Sequence, residues 1–217
     1  MARITAYLEL GSKRVFAAAL DWPGWARSGK TDQEALDRLA DYAERYRPVA
    51  ERAEVRFPVA YDFDVLERLP GSGSTDFGAP GAIAQADHAA LTVAQARRLA
   101  ALVEASWAVL DEVAAQTPGE LRKGPRGGGR DRDKMIQHIV SAEASYARQL
   151  DIRHREPAFD DRDAVTALRR DIAAALRSAR DGTPSRPKGW PPRYAARRIA
   201  WHVLDHCWEM QDRTEPS

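Results

Sequence analysis

The chain is expected to be an α+β protein: a small β-sheet with a helix in residues 1–87, then an all-α bundle of four helices in residues 88–217. Three observations carry this expectation. Short runs of strand-forming residues accompany a capped helix near the N-terminus. A breaker stretch, Pro70-Gly71-Ser72-Gly73-Ser74, then interrupts the pattern. From Leu91 onward every apolar pattern has the period of a helix.

Arg3 to Leu10 and Arg14 to Trp22 are the first two β-leaning runs, with Gly11-Ser12 as the turn between them. A loop from Pro23 to Gly29 leads into Thr31-Asp32-Gln33-Glu34, a capping box in which the hydroxyl and the carboxylate each take an unpaired backbone N–H. Apolar residues at Ala35, Leu36, Leu39, Tyr42, Ala43 and Tyr46 then extend a helix. Phe57 to Leu66 is expected to return to the sheet as an extended run, and the segment from Pro70 to about Ala90 reads as a linker.

Thr92-Val93-Ala94-Gln95 is a second capping box, followed by a seam of Leu99, Val103, Ser106, Leu110 and Val113 that Pro118-Gly119 ends. A glycine-rich crossing over 124–129 follows. It lacks the Gly-Lys-Ser/Thr ending of a phosphate-binding loop and runs into aspartates, so phosphate binding is not expected there. Helix two should run from about Asp131 to Ile152 and helix three from Asp161 to Arg180. Helix four should start at Pro191-Pro192 and continue to about Arg213.

Composition narrows the function classes. The chain has 217 residues, 44% hydrophobic and 30% charged, with a net charge of only +1, which supports a packed core and neither nucleic-acid nor membrane binding. No run is long and apolar enough for a membrane span or a secretion signal, and the single Cys207 rules out an intrachain disulfide framework. The expectation is a cytoplasmic, reduced protein.

The five histidines carry the chemistry. His202 and His206 lie four apart on helix four, so both imidazoles project from one face, on a stripe with Ala195, Ile199 and Met210. His138 lies on the core stripe of helix two. Burying neutral imidazoles without partners costs about 1–3 kcal/mol for each unsatisfied group, and a shared metal removes most of that cost. A core histidine bonded to a carbonyl is the plainer alternative for any one of them. Glu209 shares the ligand face and is a candidate general base or orienting acceptor, with Asp205 as a further candidate to orient a histidine. Arg198, one turn before His202, is placed to meet an anionic substrate unless it is a surface residue. Cys207 is turned about 100° from His206 and reads as a packed thiol. Trp201 and Trp208 form a second stripe for packing against another element or a partner chain. His88 and His154 are expected in exposed loops.

The run Gly127-Gly128-Gly129-Arg130-Asp131-Arg132-Asp133-Lys134-Met135-Ile136-Gln137-His138-Ile139, with Ala200-Trp201-His202-Val203-Leu204-Asp205-His206, resembles the DinB-like four-helix bundles. That family includes thiol-dependent transferases and the mycothiol-dependent maleylpyruvate isomerase. The resemblance covers residues 91–217. It implies a bundle with a long crossover, a three-histidine site for zinc, nickel or a similar divalent ion, and activation of a low-molecular-weight thiol. Phe16 to Trp25, with Gly29-Lys30-Thr31-Asp32-Gln33-Glu34-Ala35-Leu36, is similar to a HicB-type module. Residues 1–87 contain no histidine, hence no such base for RNA cleavage, and a docking, dimerisation or substrate-covering role follows.

These readings lead to a metal-dependent transferase or isomerase that uses a small thiol and a small-molecule substrate, with a homodimer left open. The alternatives are a non-catalytic, metal-stabilised module that binds a protein partner, and an antitoxin-like regulator.

Overall fold

The computed structural model describes residues 1–124 and 128–214. Part of the glycine-rich crossing, residues 125–127, lies outside the described residues. The protein is α+β, with a four-stranded mixed sheet in the order β3-β2-β1-β4 and seven helices among the described residues.

Strands β1 (Ala2–Leu10) and β2 (Val15–Ala19) form the expected antiparallel hairpin, in the register Leu10↔Val15 to Ala6↔Ala19. Strand β3 (Ala26–Gly29) falls where a loop was expected. It has only four residues, too few to show alternation, and pairs antiparallel with β2. Strand β4 (Tyr61–Pro70) starts and ends later than the expected Phe57–Leu66, and runs parallel to β1. The register shifts between Ala6 and Tyr7, so Leu66 has no partner and stands exposed.

The helix after Thr31 is two helices. Helix α1 (Asp32–Asp41) starts as expected, with Thr31 accepting from the Glu34 N–H; the Glu34 carboxylate reaches Lys30 N–H, one residue beyond the cap. Tyr42 leaves helical geometry, and α2 (Ala43–Arg52) continues. These helices cover one sheet face, that of Ile4, Leu8, Val15, Ala17 and Ala19. The other face, with Tyr7, Phe16 and Ala18, is covered by Trp201 and by residues around Ala84. The alanines of β2 allow this close double covering, and all five of its residues are buried.

The expected linker is built into the fold. It holds a short helix, α3 (Gly73–Phe77), and a 3-10 turn at Gln85–His88. Two buried carboxylates help to fix it. The buried Glu9 accepts from Thr75 and from the Gly81 and Ala82 N–H groups, and the buried Asp87 pairs with Arg197. Polar, glycine-rich composition gave a loop expectation, whereas buried hydrogen bonds to its backbone order the segment.

Helices α4 (Val93–Gln116), α5 (Arg132–Ala147), α6 (Arg162–Ser178) and α7 (Pro192–Thr214) follow. The Thr92–Gln95 capping box forms with both bonds. Helix α4 packs along α6 and α7, and α5 along the same two. Helix α2 rests on α4, and one buried cluster runs from Ile4 in β1 to Met210 in α7. Trp201 meets Phe16 edge-on at 6.2 Å, and Trp208 meets Tyr42 at 5.0 Å, so the tryptophan stripe faces the N-terminal part of the chain. Gly24 shows how close this contact is. Its φ is +92°, and a Cβ there would lie 2.6 Å from the Leu204 side chain.

Candidate metal centre

Helix α7 sets His202 and His206 one turn apart, with ring centroids 4.7 Å from each other. Helix α5 brings His138 across, its ring 5.0 Å from each of the other two. One nitrogen from each of the three lies within 4.8 Å of the others. His138 Nε2 and His202 Nε2 are 3.2 Å apart.

That separation suits one ion. Imidazole nitrogens bind zinc at about 2.0–2.1 Å, so two ligands of one ion sit about 3.0 Å apart at a right angle and about 3.4 Å apart at the tetrahedral angle. In the absence of an ion, one of the two nitrogens has to donate a proton to the other, and the third imidazole gains nothing from the arrangement. The donor set therefore fits a divalent ion that accepts nitrogen, such as zinc or nickel.

The charge state also fits. His202 is only 7% exposed, and burial, helped by the neighbouring His206, His138, Arg198 and Arg130, pushes its imidazole down to about 2. Burial, then the Arg130 charge, lowers His138 as well. Neutral imidazoles are the form that donates a lone pair. His202 Nδ1 is buried without a hydrogen-bond partner among the described residues.

Glu209 stands behind the centre. Its Oε2 lies 3.0 Å from His206 Nδ1 and its Oε1 accepts from Arg213 at 2.9 Å. The bond to His206 comes first among the causes that hold this carboxyl below the ordinary range, and Arg213 adds to it. With Nδ1–H donated to Glu209, His206 keeps its Nε2 lone pair for the cluster. Asp205 does something else: it pairs with Arg27 at 2.9 Å and orients no histidine, because one residue of helix turns it toward the sheet. Arg198 is half-buried rather than a surface residue. Its guanidinium donates to the Pro80 carbonyl at 3.0 Å and lies over Trp201 and Tyr146.

Cys207 is fully buried, and desolvation pushes its thiol up to about 12, so it is a packed side chain. His88 is exposed. His154 is not: it is half-buried and bonded to Asp171 at 2.9 Å. Two residues near the centre were not singled out by sequence. Tyr146 meets His202 edge-on at 5.7 Å, and Arg213 holds Glu209. A signal for Arg213 exists, since it lies four beyond Glu209 and seven beyond His206 on one helix face.

No family model, curated protein or solved structure matches the chain. Among the described residues, no helix is long and apolar enough to cross a membrane.

Proposed function

We propose that this chain is a divalent-metal-dependent enzyme of the DinB-like type, a transferase or isomerase that uses a small thiol, with His138, His202 and His206 as metal ligands. In this reading α4 to α7 are the four-helix bundle, and the N-terminal sheet and helices are a HicB-like module backing α7. The carrying observation is three converging imidazole nitrogens that no fourth His, Cys, Asp or Glu joins among the described residues. Three protein ligands leave coordination positions open, which is the arrangement of catalytic zinc sites. A divalent ion held there would supply the positive charge that keeps a bound small thiol deprotonated near neutral pH.

The chain's own residues prepare the site. Glu209 orients His206, which favours the acceptor role over that of a general base. Burial keeps His202 neutral. Arg198 offers a positive charge one turn from His202, suited to an anionic group of a small-molecule substrate. Cys207 supplies no competing thiolate.

The test is optical. Cobalt-substituted protein titrated with low-molecular-weight thiols should develop a sulfur-to-metal charge-transfer band near neutral pH. Full cobalt occupancy with no spectral change for any thiol would move the assignment to the non-catalytic module, with the ion tying α5 to α7.

A further inference from the structure

A chain of hydrogen bonds leads away from the three histidines and ends in the crossover between α4 and α5. His206 Nδ1 meets Glu209, and the other oxygen of Glu209 accepts from Arg213 Nη1. The same guanidinium donates to two backbone carbonyls of the crossover, Arg122 at 2.7 Å and Arg130 at 2.8 Å. Arg122 returns the contact through its own N–H to the Arg213 carbonyl at 3.2 Å and its side chain to the Asp212 carbonyl at 2.8 Å.

Two further facts show that Arg213 is built in. Its side chain is only 12% exposed although it lies in the last turn of α7. Gly129 lies directly against it: φ there is +119°, and a Cβ would come within 2.9 Å of three guanidinium atoms. A left-handed residue with no side chain is needed at that place.

We infer that Arg213, acting through Glu209, is a positioning residue that couples occupation of the three-histidine centre to the packed conformation of the crossover around Arg122 and Gly129–Arg130. The inference rests on the metal reading proposed above. An ion that draws on His206 favours the orientation in which Nδ1–H meets Glu209. Glu209 so fixed presents its second oxygen to Arg213, and Arg213 so fixed holds the two carbonyls. Coupling of this kind is reciprocal: whatever loosens the crossover weakens the metal by the same factor. Outer partners of metal-bound histidines are worth about 10–100-fold in affinity, which sets the expected size.

The experiment uses the full chain, zinc, and trypsin, because Lys123, Arg130 and Arg132 are cleavage sites in and beside the crossover. Zinc should slow cleavage at these sites by roughly tenfold or more. Arg213→Lys keeps the charge and the cleavage site, but its single nitrogen cannot stand at both the Nε and the Nη1 positions from which the three acceptors are reached. It should weaken zinc by about 10-fold or more in a chelator competition and remove most of the protection. Gly129→Ala, which touches no ligand, should do the same by displacing the guanidinium. Glu209→Gln separates the two links, since its amide oxygen still accepts from His206 but its NH2 cannot accept from Arg213. It should keep one zinc per chain and lose the protection. Zinc bound at full affinity by Arg213→Lys and Gly129→Ala, with cleavage of the native chain indifferent to zinc, would overturn the coupling and leave the metal site standing. A native chain that takes up no zinc would overturn both.

Discussion

Two buried polar clusters lie on α5 within about a turn and a half of each other, and they differ in what they leave unsatisfied. At Glu143 the carboxylate is 1% exposed, and both its oxygens accept from Arg169, at 3.0 and 3.3 Å. Arg169 also reaches Asp111. Charge meets charge and donors meet acceptors, so this cluster is closed and fastens α5 to α6 and α4. Five residues earlier, at His138, three imidazoles turn nitrogen toward nitrogen, and burial keeps the innermost one neutral. An electron-pair acceptor such as a divalent ion would complete that cluster. The contrast distinguishes a structural tie from a candidate site: the first joins charges of opposite sign, whereas the second gathers three groups of one kind.

The largest expected effect comes from opening the closed cluster. Glu143→Ala leaves the buried Arg169 charge with only the longer, more exposed contact to Asp111 and should cost about 3–5 kcal/mol in denaturant unfolding. The double replacement Glu143→Leu with Arg169→Met should recover most of that loss, because a well-packed apolar pair often does as well as a buried ion pair. A single-mutant loss below about 1 kcal/mol would mean that the two clusters do not differ as described. His138→Ala is the counterpart. In metal-free protein it should cost under about 1.5 kcal/mol, since the side chain is half-buried and its side-chain hydrogen-bond partner among the described residues is another imidazole, yet it should abolish stoichiometric metal binding.

Acid should act chiefly on the open cluster. His202 has a folded pKa depressed from 6.5 to about 2, so the unfolded chain binds a proton that the folded chain refuses. Stability of the metal-free protein is therefore full above about pH 6.5 and declines as pH falls below it. Thermal melts from pH 8 to pH 5 should show this decline, and His202→Asn should flatten it. A smaller effect concerns the thiol. Cys207, on the same helix but buried against the core, should stay unreactive toward a thiol reagent at pH 8 until the protein unfolds, with or without metal. Rapid labelling of the native protein would show that the core around Trp208 opens.

Much of the C-terminal half was legible in the sequence. Thr92 and Gln95 marked the start of α4, Pro192 the start of α7, and the four-residue spacing of His202 and His206 set both on one face. That His138 joins them also followed from its place on the apolar stripe of α5. The N-terminal half was less legible for physical reasons. Strand β3 is too short to show a period, and β4 alternates only between half-buried and exposed positions, with the apolar Leu66 among the exposed ones. Residues 71–90 owe their order to Glu9 and Asp87, whose partners are distant in sequence and have no local signature. The partner of Asp205 could not be named from the sequence, because Arg27 lies on a strand that the sequence showed as a loop. His154 was expected to be exposed because its partner, Asp171, lies 17 residues on, with no local signature of the pairing.

In the function proposed, His138, His202 and His206 together hold one divalent ion. Elemental analysis of protein purified without added metal or chelator tests it directly. Close to one zinc or nickel per chain is expected, lost in His138→Ala, His202→Ala and His206→Ala and retained in His88→Ala and His154→Ala. A native chain without bound metal that also fails to take up zinc or nickel on dialysis, or a triple-alanine variant that keeps its ion, would contradict it.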